Sequence, residues 1–182
     1  MLQLPLMSKN VYLAGSCRDC PVGQMARRAL SMVTKPFARK GAVFQPLLTS
    51  KCLSCELFRV CIGSTRPLVS YRVVETRMHI NYCPALSEEM QVVVVEEMPA
   101  RLIVEAPFVA PGVEMTYRKP IRCPEGVICE HLGVEDGEKV RVVKVLERLA
   151  PNLWLVEAEL LEPPTPRLWL AAKQKLLQKP RG

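Results

Sequence analysis

The sequence predicts a mainly β protein (α+β), built from two internally duplicated units. Each unit is a cysteine loop followed by a small, barrel-like β-meander, and a short basic helix stands at either end of the chain. Three observations predict this. Apolar residues gather in short β-branched runs broken by proline and glycine, and the valine run Gln91–Glu96 is the clearest of them. The pattern then repeats in register. Cys55-x5-Cys61 recurs as Cys123-x5-Cys129 displaced by 68 positions, and Tyr71–Glu75 recurs as Val140–Lys144 displaced by 69. The valine run has its counterpart in Leu153–Leu160. A shared order at a nearly constant offset is the mark of a duplication. Finally, 182 residues with 49% hydrophobic content suffice for a packed core, and no apolar run approaches the ~18 residues of a membrane span.

Residues 1–41 read as a basic extension. Met25, Ala29 and Val33 follow one another at i, i+4, which predicts an amphipathic helix over Gly23–Val33 that ends at Lys35-Pro36. The first unit spans 42–106. Ala42–Leu48 reads as a strand entering the cysteine loop, and strands follow at Tyr71–Glu75, Gln91–Glu96 and Arg101–Glu105. The unbroken valines of the second of these imply burial on both faces. The second unit spans 107–162, with strands at Val113–Tyr117, Val140–Lys144 and Leu153–Leu160 and an Asp136-Gly137 turn. Pro163, Pro164 and Pro166 stop the sheet. Residues 163–182 close the chain with a helix at Leu168–Lys179, in which Leu168, Ala172 and Leu176 stack and the lysines point away.

Charge is unevenly placed. The net charge is +7, but residues 1–41 carry +6 and residues 166–182 carry +5, leaving a mildly acidic middle. Basic ends on such a body suit phosphate neutralisation. They nominate Arg27, Arg28, Arg39, Lys40, Arg167, Lys173, Lys175 and Lys179 as nucleic-acid contacts, with rRNA or ribosomal proteins as the partner. Solvation of the termini is the plainer alternative.

The eight cysteines carry the chemistry. No basic segment followed by a long apolar core opens the sequence, so a cytoplasmic location is expected, where closely spaced cysteines serve as metal ligands or redox groups. Disulfides stay open as an alternative, because intracellular proteins of hyperthermophiles are rich in them. Cys52, Cys55 and Cys61 form a C-x2-C-x5-C triplet, and Cys83-Pro84 ends as iron–sulfur ligand runs often do. Three thiols in one loop and a fourth from afar suit the separated corners of a [4Fe–4S] cubane. Zinc is the alternative, with His79 a spare ligand. The second unit has Pro120 in place of Cys52 and no cysteine matching Cys83. A second site, for zinc, would therefore combine Cys17 and Cys20 with Cys123 and Cys129, with His131 in reserve. The alternative is a free dithiol and a disulfide.

The triplet resembles the cluster loop of endonuclease-III-type glycosylases and the iron staple of certain nucleases, although no nuclease carboxylate core is recognisable. Residues 32–162 resemble an uncharacterised archaeal family of small cysteine-rich proteins with tandem C-x2-C-x5-C units. The matching stretches are Phe37–Phe44, Cys52–Cys55, Val60-Cys61, Tyr71–Val74, His79 to Cys83-Pro84, and Cys123 with Cys129. The chain departs from that pattern in lacking the other second-unit cysteines and in carrying the Cys17/Cys20 segment. The resemblance implies archaeal origin, cytosolic location and metal binding. No phosphate-cradling glycine loop, G-x-S-x-G or H-E-x-x-H motif is present, and the chain has two histidines. The expected function is a non-enzymatic, metal-stapled protein that docks on RNA or the ribosome, without membrane or small-molecule substrate. An iron–sulfur redox or sensor protein with a protein partner is the second expectation.

Overall fold

Among the described residues, eight strands form two four-stranded antiparallel sheets of identical topology. The structure, a computed structural model, describes residues 27–176. In the first sheet β1 (Arg28–Thr34), β2 (Val43–Phe44), β3 (Tyr71–Cys83) and β4 (Glu88–Glu97) lie in the order β1-β4-β3-β2. In the second, β5 (Ala100–Glu105), β6 (Glu114–Thr116), β7 (Lys139–Ala150) and β8 (Leu153–Leu160) lie in the order β5-β8-β7-β6. A helix, α1 (Pro166–Leu176), follows. None of the helices among the described residues is long and apolar enough to cross a membrane.

The duplication extends to single hydrogen bonds. Gly41 and Gly112 both turn with φ of 85°, a left-handed conformation that glycine adopts without strain. Gly41 donates to the Val73 carbonyl at 2.8 Å, and Gly112 donates to the Val142 carbonyl at 2.7 Å. A bulge interrupts β3 between Val73 and Glu75, and another interrupts β7 between Val142 and Lys144, at the 69-residue offset read from the sequence.

Alternation along the strands builds one core between the sheets. Val73, Val93 and Val95 of the first sheet meet Leu102, Val142 and Val156 of the second there, all fully buried. The opposite face of each sheet carries a smaller cluster. Met32, Met90 and Val92 form it on the first sheet, and Ile103, Leu153 and Leu155 form it on the second. The valine run of β4 therefore packs on both sides, as its composition predicts.

Two elements differ from the sequence reading. Residues 28–34 are a strand, not the end of a helix, and pair along β4 from Arg28 opposite Glu96 to Thr34 opposite Met90. The i, i+4 spacing of Ala29 and Val33 is also the i, i+2 spacing of a strand taken twice. Val33 enters the main core and Met32 the outer cluster, so both faces find apolar partners. The rest of the helix expected over Gly23–Val33 lies outside the described residues. Arg101–Glu105, counted above with the first unit, hydrogen-bonds to β8 in the second sheet.

Candidate metal centre

The segment between β2 and β3 has little regular structure, and it holds the cysteine triplet through three tight turns. Cys52–Ser54 is a 3-10 turn closed by the Cys55 N–H donating to the Cys52 carbonyl at 3.1 Å. Phe58 N–H then donates to the Cys55 carbonyl at 3.0 Å, and Arg59–Gly63 winds as one π-helical turn around Cys61. The loop is anchored to the sheet by the buried Ser31 hydroxyl, which donates to the Cys61 carbonyl at 2.6 Å. Cys83 arrives separately, as the last residue of β3. A turn with Ser87 at φ 57° follows it, and the Ser87 N–H donates to the Cys83 carbonyl at 2.8 Å. Lys51 ties the two segments together by donating to the Pro84 carbonyl at 3.4 Å.

This geometry brings Cys52, Cys55, Cys61 and Cys83 to one recess, each a free, partly buried thiol. The other walls are largely apolar, from Met32, Leu57, Phe58, Ile62 and Met90, and neither a carboxylate nor an imidazole lines the recess. A donor set led by four thiols, with the Met32 and Met90 thioethers also in the walls, suits soft, thiophilic metals and iron–sulfur clusters. As they stand, no three His, Cys, Asp or Glu side chains among the described residues converge on a point that would hold a single ion. Burial, and then the neighbouring Cys52, Cys83 and Cys55 thiols, push the Cys61 thiol up to about 12. Without a cation the Cys61 thiol thus resists ionisation, and a metal bound there would have to displace its proton. The Cys52 sulfur accepts the Thr49 N–H at 3.3 Å and lies 3.2 Å from the Thr49 hydroxyl. Such bonds stabilise a thiolate and tune the potential of a cluster.

The other nominated residues are dispersed. His79 is exposed on β3 and does not line the recess. Cys123 and Cys129 are joined to each other, with Cα atoms 6.0 Å apart, and in that state they offer no thiolate to a metal. Cys17 and Cys20 lie outside the described residues. His131 accepts the Gly133 N–H at 3.0 Å through Nδ1 and is used within the fold. Register places Cys129 in the second-sheet counterpart of the cluster that holds Cys61 and Cys83, with Ile103, Leu153 and Leu155 standing for Met32, Met90 and Val92.

Several of the basic residues are also committed internally. Arg27 donates to the carbonyls of Leu161, at 3.0 Å, and Glu162. Arg28 lies 3.7 Å from Glu96, and Lys175 bonds to Glu130, whose carboxyl is held below its usual range by Lys175 and Lys119. Arg39, Lys40, Arg167 and Lys173 are exposed, and Lys179 lies outside the described residues.

Sequence reasoning missed two partners of the site. The first is α1, whose fully buried Trp169 packs with Leu48, Ile62 and Ala172 against Cys52, Leu53, Phe58 and Cys61. The Trp169 indole N–H donates to the Thr65 carbonyl at 2.9 Å. The second is Arg66, fully buried just beyond the loop. It pairs with Glu138 at 2.9 Å and Glu97 at 3.5 Å and donates to the Gly133 carbonyl at 2.8 Å. The alternating lysines of α1 hinted at its apolar stripe, whereas nothing local in the sequence marked Arg66 as buried.

Fold and centre together define a duplicated two-sheet β protein with a four-thiol recess on one of its two copies. The chain belongs to the uncharacterised protein family UPF0179, whose sequence profile matches residues 29–153. It is 38% identical to a UPF0179 protein of Pyrobaculum arsenaticum over 124 residues, covering 67% of this chain and 73% of that one. A relative from Pyrobaculum aerophilum is 33% identical over 145 residues, covering 77% and 86% of the two chains. One from Pyrococcus abyssi is 30% identical over 98 residues, covering 52% and 68%. No solved structure matches the chain.

Proposed function

We propose that this protein is a non-enzymatic metal–thiolate protein in which Cys52, Cys55, Cys61 and Cys83 hold a [4Fe–4S] cluster, with zinc as the alternative occupant. One observation carries this reading. Four free thiols from two separated segments line a single recess that contains neither a carboxylate nor an imidazole. The cluster would staple the long β2–β3 segment to the end of β3. The protein would act in the cytoplasm, docking on RNA, with rRNA or the ribosome as the target. The exposed Arg39, Lys40, Arg167 and Lys173 and the net charge of +7 support that partner.

An iron–sulfur sensor with a protein partner is the second reading. It is favoured by the packing of Trp169 on the thiol loop, through which a change at the centre would reach α1.

Anaerobic purification followed by metal analysis and an absorption spectrum tests the first reading. Iron with a broad band near ~400 nm, both lost when Cys55 and Cys83 are replaced by serine, is the expected result. A colourless zinc protein would transfer the site to zinc, and a metal-free one would end the reading. RNA that copurifies and is released by salt is expected of the docking role. Copurifying protein without RNA would instead favour the sensor.

A further inference from the structure

We propose that the protein binds a small, uncharged and largely apolar molecule in a cavity lined in part by three of the four thiols. The cavity has a volume of about 520 Å³ and lies on the outer side of the first sheet. That size falls within the range of small-molecule sites, roughly 300–1,000 Å³. Cys52, Cys61 and Cys83 reach it, whereas Cys55 lines only the recess behind. Phe37, Phe44, Leu47 and Leu86 make its apolar walls.

The chemistry of the lining identifies the ligand class. A quarter of the chain's residues are charged, 24% in all, yet none of the residues around this cavity is. Its polar groups are uncharged, among them the Thr34 hydroxyl and the Gln45 side-chain amide. Gln45 is already engaged, donating to the Leu68 carbonyl at 3.3 Å. An anion entering such a space would lose its hydration without gaining a positively charged partner, whereas an aromatic or aliphatic body would gain from every wall. Phe37 and Leu47 are also 43% and 61% exposed, and with the exposed Val43 they give this cavity an apolar rim. This inference extends the proposed function by giving the thiol centre a neighbouring ligand. It rests on that reading only for the importance of the contact, because the cavity walls are present whatever metal the thiols hold.

The test uses the full-length protein with its metal as purified anaerobically. It is titrated by fluorescence with the neutral dye N-phenyl-1-naphthylamine and with the matched anion 8-anilino-1-naphthalenesulfonate. Saturable one-site binding of the neutral dye, about tenfold or more tighter than the anion, is the expected result. Leu47→Glu, at an exposed position, should weaken it by about tenfold or more with little change in Tm. Val143→Glu on β7, also exposed, should leave it unchanged. Phe37→Asn repeats the test at a second rim position in case Leu47→Glu does not fold.

Equal affinity for the two dyes, or folded rim variants that bind normally, would overturn the proposal. So would binding that appears only after the metal is stripped, since the cavity would then be the metal's own space. In reduced, metal-stripped protein the bound neutral dye should slow iodoacetamide modification of Cys52 and Cys83 and leave Cys55 unaffected. Equal protection of all of them, or of none, would overturn the placement of the ligand on the three thiols. A protein purified without metal would end the cluster reading while leaving the dye titration fully informative.

Discussion

His131 lies partly buried beside Arg66, and burial first, then the Arg66 charge, lowers its imidazole to about 4. In the folded protein it is therefore neutral at pH 5, and its Nδ1 accepts the Gly133 N–H. In the unfolded chain it would take up a proton near pH 6.5. The unfolded state binds more protons across that interval, so His131 favours folding fully above pH 6.5 and less as pH falls towards 4. The loss amounts to up to about 3 kcal/mol. Denaturant titrations of the wild type and of His131→Asn, which keeps an acceptor, should show it as a smaller loss of stability between pH 7 and pH 4.5 in the variant. Glu97 and Glu138 act in the opposite sense. Burial raises both despite the Arg66 charge, so they hold protons better when folded and cost stability as pH rises through their titration. At this scale the sequence was informative only for cysteine. The spacing of Cys52, Cys55, Cys61 and Cys83 pointed to a shared site because tight turns impose short-range geometry. The use of His131 and Arg66 depends on residues from distant segments, which no local pattern records.

Among the elements, α1 supports the thiol loop from the face away from the first sheet's outer cluster. Its Trp169 fills the space behind the thiol loop, with no exposed surface of its own, and bonds to Thr65. Trp169→Ala should cost about 3–5 kcal/mol. It should also speed metal loss to a chelator several-fold, because the loop loses the surface it rests on. Trp169→Phe, which keeps an aromatic ring but loses the N–H bond and part of the indole volume, should cost about 2 kcal/mol, less than alanine, and retain metal better than the alanine variant. Thermal unfolding and chelator kinetics measured together would separate these outcomes. An alanine variant that retained metal normally would show that loop and helix are independent. The strands themselves were readable wherever one run of β-branched residues met a turn, and Leu153–Leu160 matches β8 residue for residue. β1 was misread because a short strand with apolar partners on both faces has no clean alternation. Its spacing of Ala29 and Val33 satisfies helix and strand alike. The extension of β3 as far as Cys83 was also hidden, since the residues at Thr76–Ile80, where its pairing slips, are exposed and polar or charged apart from Met78 and Ile80.

For the molecule as a whole, Arg66 is a buried polar link between the halves. It joins Glu97 at the end of β4 to Glu138 just ahead of β7, and Arg27 reaches the Leu161 and Glu162 carbonyls nearby. Arg66→Met would leave two buried carboxylates facing each other without a cation. It should lower stability at pH 7 by about 3–5 kcal/mol. The loss should shrink in acid, where Glu97 and Glu138 are protonated, and unfolding curves at pH 7 and pH 4.5 would show whether it does. An equal loss at both pH values would assign the role of Arg66 to packing instead.

The matching glycine turns and bulges of the two sheets carry a further consequence, one of ancestry. Each sheet comes from one continuous stretch of chain, and only Met98 and Pro99 separate them. Two equal sheets closing on one core are what a symmetric pair of identical subunits becomes once its subunits are joined end to end. An ancestor of that kind would have carried the same outer cluster twice, with freedom to build a centre on either face. The fused chain could let its halves diverge. Thiols kept on the first copy and aliphatic packing with a disulfide on the second are the record of that asymmetry.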